Sequence, residues 1–366
     1  MQPRKHYITG LKGISCIFIM FGHFVGLYKY AERFLPRIPL LASVLNSRFS
    51  FAINEAFWLY LFFYLSGYLV ARSKVNTIKD VVLKSINRFF RLAFPVLFSY
   101  LVIYLIYIFA GFHNGETASL FKCGWFQGYY AEQYTWMHVL RSPIDVLIHG
   151  NCALNGPYWV LKDMFFASLI IYVLKYIYHI LSVRHAAIAL AILVAATFAF
   201  IPVSNIIFAC LLGMLISVYE DTEAVCKKPG IAVTGILLVS LMQYIVTENF
   251  VFNIFFVILM IITPRVPSLD GALSKKPFRF LGDISWGIYS FHWPLMCSVG
   301  AMLIIALQPD KGLTASYLIA CAAVSIVTIV LAAIFSFTLE KLAAFMTAKL
   351  DSGLKRIVLC FSGNKN

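Results

Sequence analysis

Charge is scarce in this 366-residue chain, and acidic charge scarcer still: 13% of residues are charged, with 16 acidic side chains against 30 basic ones. At 61% hydrophobic, the chain lies well above the roughly 45–50% apolar content of a soluble domain. An ordinary water-soluble protein is thereby excluded, and a lipid bilayer is the implied solvent. The eight cysteines lack metal-ligand spacing, with Cys16, Cys210, Cys297 and Cys321 scattered through apolar segments, so no metal site is expected. Internal repeats and paired broken helices, the pointers to many secondary transporters, are missing as well. The first apolar run has no small-residue cleavage site and is expected to stay in the mature protein as a helix. The net charge of +14 would suit nucleic acid, but basic residues of polytopic proteins gather in cytoplasmic loops. Topology accounts for the charge, and no nucleic-acid partner is expected.

What is present is a series of apolar runs, and a helical crossing of about 30 Å of hydrocarbon needs roughly 17–25 residues. Ten are read, near 8–28, 54–72, 89–112, 157–180, 186–200, 203–219, 230–247, 250–263, 282–307 and 315–340. The expected fold is an all-α polytopic bundle of about ten transmembrane helices over 1–340, with a short basic cytoplasmic tail at 341–366. With the N-terminus inside, about 20 Lys and Arg fall in inside segments and about 7 outside, the bias that fixes orientation. Both termini are then cytoplasmic, in a multi-pass plasma-membrane protein. The largest outside segment, roughly 113–155, contains "CGWFQGYYAEQYTWMHVL", which suits an interfacial aromatic belt or a carbohydrate-contacting lip. Cys123 and Cys152 share that segment, where a disulfide and two free thiols both stand open.

Polar side chains inside a span are costly, so each is a candidate functional group. In "KGISCIFIMFGHF" eleven helical steps of 1.5 Å separate Lys12 from His23, about 16 Å. Lys12 is an anchor or a ligand at the cytoplasmic face; His23 is a proton-transfer group or an interhelical hydrogen bond. In "FFYLSGYLVARS", Ser66 and Gly67 either pack helices closely or face a cavity. Arg88 and Arg91 in "INRFFRLAFP" share a helix face and offer planar donor forks to phosphate, or serve as topological anchors. Pro95 then stiffens or kinks the helix. In "LGDISWGIYSFHWPLM", His292 reaches nearly the depth of His23 from another helix, with Ser285 and Tyr289 on the way. Asp163 in "GPYWVLKD" could bind a hydroxylated acceptor or pair with a cation such as Lys162, and Glu340 caps or pairs at an inner helix end.

Together these fragments resemble the membrane acyltransferase-3 family, over nearly the whole chain. Lys12 and His23 match the family's basic residue, ten intervening residues and histidine. "LFFYLSGYLV" (61–70), "RFFR" (88–91) and "LGDISWGIYSFHWP" (281–294) are similar to its later motifs. Departures are Thr9 in place of an acid, Lys12 for arginine, Tyr60 for aspartate and Trp286 for tyrosine. Trp159 to Asp163 also stand in place of a commoner Trp-Ser-Leu pattern with a glutamate.

The resemblance implies transfer of an acyl group, acetyl in the common case, from cytoplasmic acyl-CoA to a hydroxyl of a cell-surface or exported glycan. Acyl-CoA is then a co-substrate, with no cofactor bound permanently. Acyl transfer to a hydroxyl needs a base, charge stabilisation for the oxyanion and a grip on a polyanionic donor. His23 is assigned as base, with Lys12, Arg88 and Arg91 for the CoA phosphates. Ser66, Tyr289, His292, Trp159 and Asp163 are the candidate oxyanion or acceptor contacts. Direct transfer and a covalent acyl intermediate both stand, as does delivery through a separate extracellular acyl-acceptor protein. The rival from another class is a proton-coupled exporter that uses the histidines as a relay.

Overall fold

The computed structural model describes residues 5–30, 39–47, 50–181, 204–223 and 258–362. All regular structure among them is helical. Among the described residues nine helices form the frame: α1 His6–Lys29, α2 Glu55–Ala71, α3 Ile78–Ala110, α4 Leu161–Ile180, α5 Asn205–Glu223, α6 Lys276–Asp283, α7 Ser285–Leu295, α8 Ala301–Phe337 and α9 Leu339–Ser362. Short helices at Asn114–Phe121, Gly124–Gln127 and Trp136–Ile144 fold the segment between α3 and α4. Among the described residues, three stretches are long and apolar enough to cross a membrane: His6–Leu27, Ile78–Ala110 and Ser285–Arg356. Glu55–Ala71 and Asn205–Val218 are shorter apolar helices. The spans expected at 186–200 and 230–247, and most of 250–263, lie outside the described residues.

The ends of these helices are written in their sequences. Asn54 caps α2 through its side chain, which accepts from the Ala56 amide at 2.9 Å. Thr77 and Asp80 form a reciprocal capping box at the start of α3, satisfying donors that an opening turn leaves unpaired. The long apolar stretch after Ser285 cannot be one straight rod. Gly312 takes φ 75° and ψ 162°, a backbone conformation glycine adopts without side-chain penalty, and the chain doubles back there. Gly287 then lies against Ala332 and Gly300 against Val324, so the partner numbers fall as the chain rises from α7, and the second leg of α8 is antiparallel to it. The two crossings expected at 282–307 and 315–340 correspond to these two legs.

Helix α1 is the central strut. It runs antiparallel to α2, with Gly22 against Glu55 and Phe18 stacked on Trp58. It runs parallel to α6 and α7: Cys16 Sγ donates to the Ser285 carbonyl at 3.1 Å, and His23 meets His292. Seven residues separate the partners on each helix, so the register is constant. Glycine makes this approach close, for a Cβ on Gly282 would collide with the Thr9 carbonyl and one on Gly13 with Leu281 and Gly282. At the N-terminal end of α1, Lys5 donates to Tyr68 (2.9 Å) and Glu220 (2.6 Å), and Arg72 donates to Tyr68 (2.9 Å), tying α1, α2 and α5 together.

Two points of the sequence reading gain structural detail. Residues 341–366 were expected as a short tail, but α9 is a 24-residue helix, held to α3 by a hydrogen bond from Asn87 to Asp351. Among its basic residues, Ala343, Met346 and Leu350 recur at helical spacing on the side turned away from solvent, which favours a helix lying on a neighbour over a solvated tail. Cys123 and Cys152 are free thiols; burial pushes the Cys152 thiol up to about 12, which leaves it protonated and inert.

Candidate active site

The parallel register of α1 and α7 brings His23 and His292 together. Their ring centroids are 4.9 Å apart, and His292 Nε2 stands 3.2 Å from His23 Nδ1. Each ring also turns Nδ1 towards the carbonyl one turn back, His23 to Ile19 and His292 to Ile288, both at 2.9 Å. A carbonyl only accepts, so these partners assign the proton of each ring to Nδ1. Two consequences follow. His292 Nε2 keeps a lone pair and accepts from the shared His23 N–H. His23 Nε2 is likewise unprotonated, with no hydrogen-bond partner among the described residues. His292 is wholly buried and His23 half-buried, so the basic nitrogen belongs to the more accessible ring.

A polar chain lies behind the pair. Pro294 has no N–H, so the Ser290 carbonyl loses its helical donor. Asn155 supplies the replacement, its Nδ2 donating to Ser290 O at 3.0 Å. Ser290 donates to the Trp286 carbonyl at 2.7 Å, which leaves its oxygen to accept from Tyr158 at 2.5 Å. Ser99 lies 2.8 Å from Tyr158 on the other side. The Tyr289 hydroxyl donates to the Pro157 carbonyl and its ring stacks on Tyr158. With its one O–H engaged there, Tyr289 shapes the wall beside His292 and has no donor left for a passing oxyanion. None of Asn155, Tyr158, Ser99 or Ser290 was singled out from sequence. The signal was there in Pro294, which announces an unpartnered carbonyl four residues earlier.

On the other side of His23 stands an aromatic group. Trp293 packs on His23 at 5.4 Å between centroids, Tyr129 and Trp125 pack on Trp293 at 4.9 and 5.0 Å, and Tyr30 continues to Trp125. Asn114 holds the loop in place by donating to the carbonyls of Phe126 (2.9 Å) and Tyr129 (2.6 Å). Part of the aromatic segment noted in the sequence thus abuts the histidine pair.

The remaining expected residues separate along the bundle axis. Because α1 and α2 are antiparallel with Gly22 at Glu55, Ser66 lies eleven residues from that crossing, about 16 Å towards the Lys12 end. There it receives Arg88 Nη2 at 3.3 Å, while Arg88 Nε donates to Ser168 at 3.0 Å. Arg91 is exposed, since three helical steps turn it about 60° from Arg88; the pair parts company, one inward and one outward. Lys12 is half-buried within electrostatic reach of Glu340 and Cys16. Asp163 lies within reach of Cys210, and Trp159 is 56% exposed; the structure brings neither to the histidines. Gly67 has the packing role, since a Cβ there would strike the Cys210 carbonyl. Among the described residues no cluster of His, Cys, Asp and Glu could hold a metal ion.

The arrangement offers a base with an oriented tautomer, an aromatic approach on one side and a basic end on the other. That is a constellation for moving a proton from a bound hydroxyl. No curated protein and no solved structure gives a match. The profile of the acyltransferase-3 family, described as an acyltransferase domain, matches residues 5–337. With that match spanning α1 to the end of α8, and so both histidines and the inward arginine, the chain belongs to the acyltransferase-3 family.

Proposed function

We propose that the protein is a multi-pass membrane O-acyltransferase that moves an acyl group, most simply acetyl, from cytoplasmic acyl-CoA to a hydroxyl of an extracytoplasmic glycan. The observation that carries this reading, within the family, is the His23–His292 contact with its free basic nitrogen. Both termini are cytoplasmic in this reading, which gives the Lys12 end of α1 to the donor and the aromatic end to the acceptor. The ten-span architecture is retained from the hydropathy of the full chain.

In the proposed reaction His23 Nε2 takes the proton of the acceptor hydroxyl as its oxygen attacks the thioester carbon. The imidazolium so formed is held by Ile19 O and by the lone pair of His292, which orients the ring as a carboxylate does in other base pairs. Collapse of the tetrahedral intermediate breaks the C–S bond. The leaving thiolate takes the proton back from His23, giving the ester and free CoA. Arg88, Arg91 and Lys12 supply cationic donors for the CoA phosphates, with Arg88 pre-positioned by Ser66 and Ser168. On the other side the partly exposed Trp125 and Tyr129, backed by the buried Trp293, offer aromatic faces to a sugar ring, which suits the carbohydrate acceptor.

Mass spectrometry of surface glycans from cells with the active gene, the His23→Ala allele and no gene tests the assignment. An acyl mass present only with the active gene supports it and identifies acyl group and acceptor. Identical glycans in all three would overturn the glycan assignment. A proton-coupled exporter would use the same histidine pair, but it would move its cargo without consuming acyl-CoA.

A further inference from the structure

Three buried polar atoms lie between the Lys12 end and the histidines, and none makes a hydrogen bond of normal geometry among the described residues: Trp286 Nε1, Ser336 Oγ and Glu340 Oε2, the last two on side chains within reach of one another. They belong to three elements, α7, α8 and α9. The antiparallel packing of α7 on α8, with Gly287 at Ala332, sets Trp286 level with Ala333, about 4.5 Å along α8 from Ser336. Glu340 lies across the helix break at Thr338 from Ser336, with the two side chains within reach of one another, and is within electrostatic reach of both Lys12 and Tyr158. The Tyr158 ring lies 5.9 Å from that of Trp286. Trp286, Ser336, Glu340, Tyr158 and Lys12 therefore border one region. By the register that pairs Cys16 with Ser285 and His23 with His292, Trp286 stands level with Ile17. It is about 9 Å along α7 from His292, between the proposed phosphate end and the base.

Enclosed polar atoms without partners are uncommon in folded proteins, and each calls for an occupant. The set comprises one N–H donor, one hydroxyl able to give or accept, and one carboxylate oxygen, which matches a secondary amide with its N–H and C=O. We infer that Trp286, Ser336 and Glu340 form a subsite for the amide-bearing arm of the acyl donor, holding the pantetheine chain so that its thioester is delivered to His23. This rests on the acyl-CoA reading above. The Trp286 indole donates to an arm carbonyl, the Glu340 carboxylate accepts an arm N–H, and Ser336 bonds to either. Trp286 stands where the family more often has tyrosine, and either side chain presents a donor.

Calorimetry on the full chain in detergent, with acetyl-CoA and with adenosine 3′,5′-bisphosphate, which lacks the arm, tests the subsite. Wild type is expected to bind acetyl-CoA more tightly than the bisphosphate. Trp286→Phe and Glu340→Met should each cut acetyl-CoA affinity by about tenfold while bisphosphate affinity stays within about twofold, which also shows that the variants fold. Glu340→Gln, which keeps an acceptor oxygen but no charge, should retain the advantage of the arm. Unchanged acetyl-CoA affinity in both Trp286→Phe and Glu340→Met would overturn the subsite and leave the acyl-CoA reading standing. If wild type binds neither ligand, the donor assignment falls and the subsite with it.

Discussion

His23 and His292 illustrate how two ordinary side chains become a directed pair. Neither ring chooses its tautomer alone: the i−4 carbonyls of Ile19 and Ile288 fix a proton on each Nδ1, and what remains is one shared hydrogen bond and one open basic nitrogen. Removing His292 should leave His23 in place but poorly oriented. His292→Ala is expected to lower turnover about 10- to 100-fold, the effect of losing a hydrogen bond to a group that becomes charged. His292→Gln, whose amide oxygen can stand where Nε2 stood, should recover much of it; equal loss in both would remove His292 from the orienting role. Behind them, Asn155→Leu should lower stability by about 1–3 kcal/mol, because it strips the Ser290 carbonyl of the donor that Pro294 denies it. Thermal unfolding in detergent measures this directly. At this scale Lys12, His23, Arg88 and His292 were legible, since an ionisable group in an apolar run stands out. Tyr158, Asn155 and Ser99 were not, because a tyrosine, an asparagine or a serine in such company has too many structural uses to be singled out.

Among the elements, relative rotation and axial offset decide what the residues can do, and these are weakly encoded in a single segment. The helical rise placed Ser66 and His23 each at some depth in its own span, but the antiparallel crossing at Gly22 and Glu55 separates them. Arg88 claims Ser66 instead. Asp163 and Trp159 fall away for the same reason: their helix faces were not fixed by local pattern. The α7–α8 hairpin was legible because two apolar runs flank a polar turn with glycine, whereas α9 was hidden by its basic residues. Close contact at Gly282 gives a sharp test. Gly282→Val would push α1 from α6 and α7, costing about 1–3 kcal/mol by overpacking and separating the histidines. Activity is expected to fall further than thermal stability alone explains. Gly312→Ala meets no neighbour within 4 Å, so its cost is backbone strain of about 1 kcal/mol, with activity of the folded fraction retained.

At the scale of the molecule, scarcity of charge and abundance of apolar runs made the helical membrane class plain from composition. The direction of the helices joins composition to function, since α1 and α7 run the same way and carry both histidines away from the Lys12 end. Orientation can be read with an impermeant maleimide on intact cells, in a background without native cysteines. Tyr30→Cys, at the aromatic end, should label from outside, and Lys355→Cys, on α9, only after the membrane is opened; the reverse pattern would invert the proposed roles of the two ends. The central claim is that His23 is the base for acyl transfer from acyl-CoA. Its most direct test is release of free CoA from acetyl-CoA by the purified protein in proteoliposomes supplied with surface glycan from the producing cells. Glycan-dependent release should fall by at least about 100-fold in His23→Ala while acetyl-CoA affinity is kept. Release that persists in that variant, or is absent from the wild type, would contradict the account.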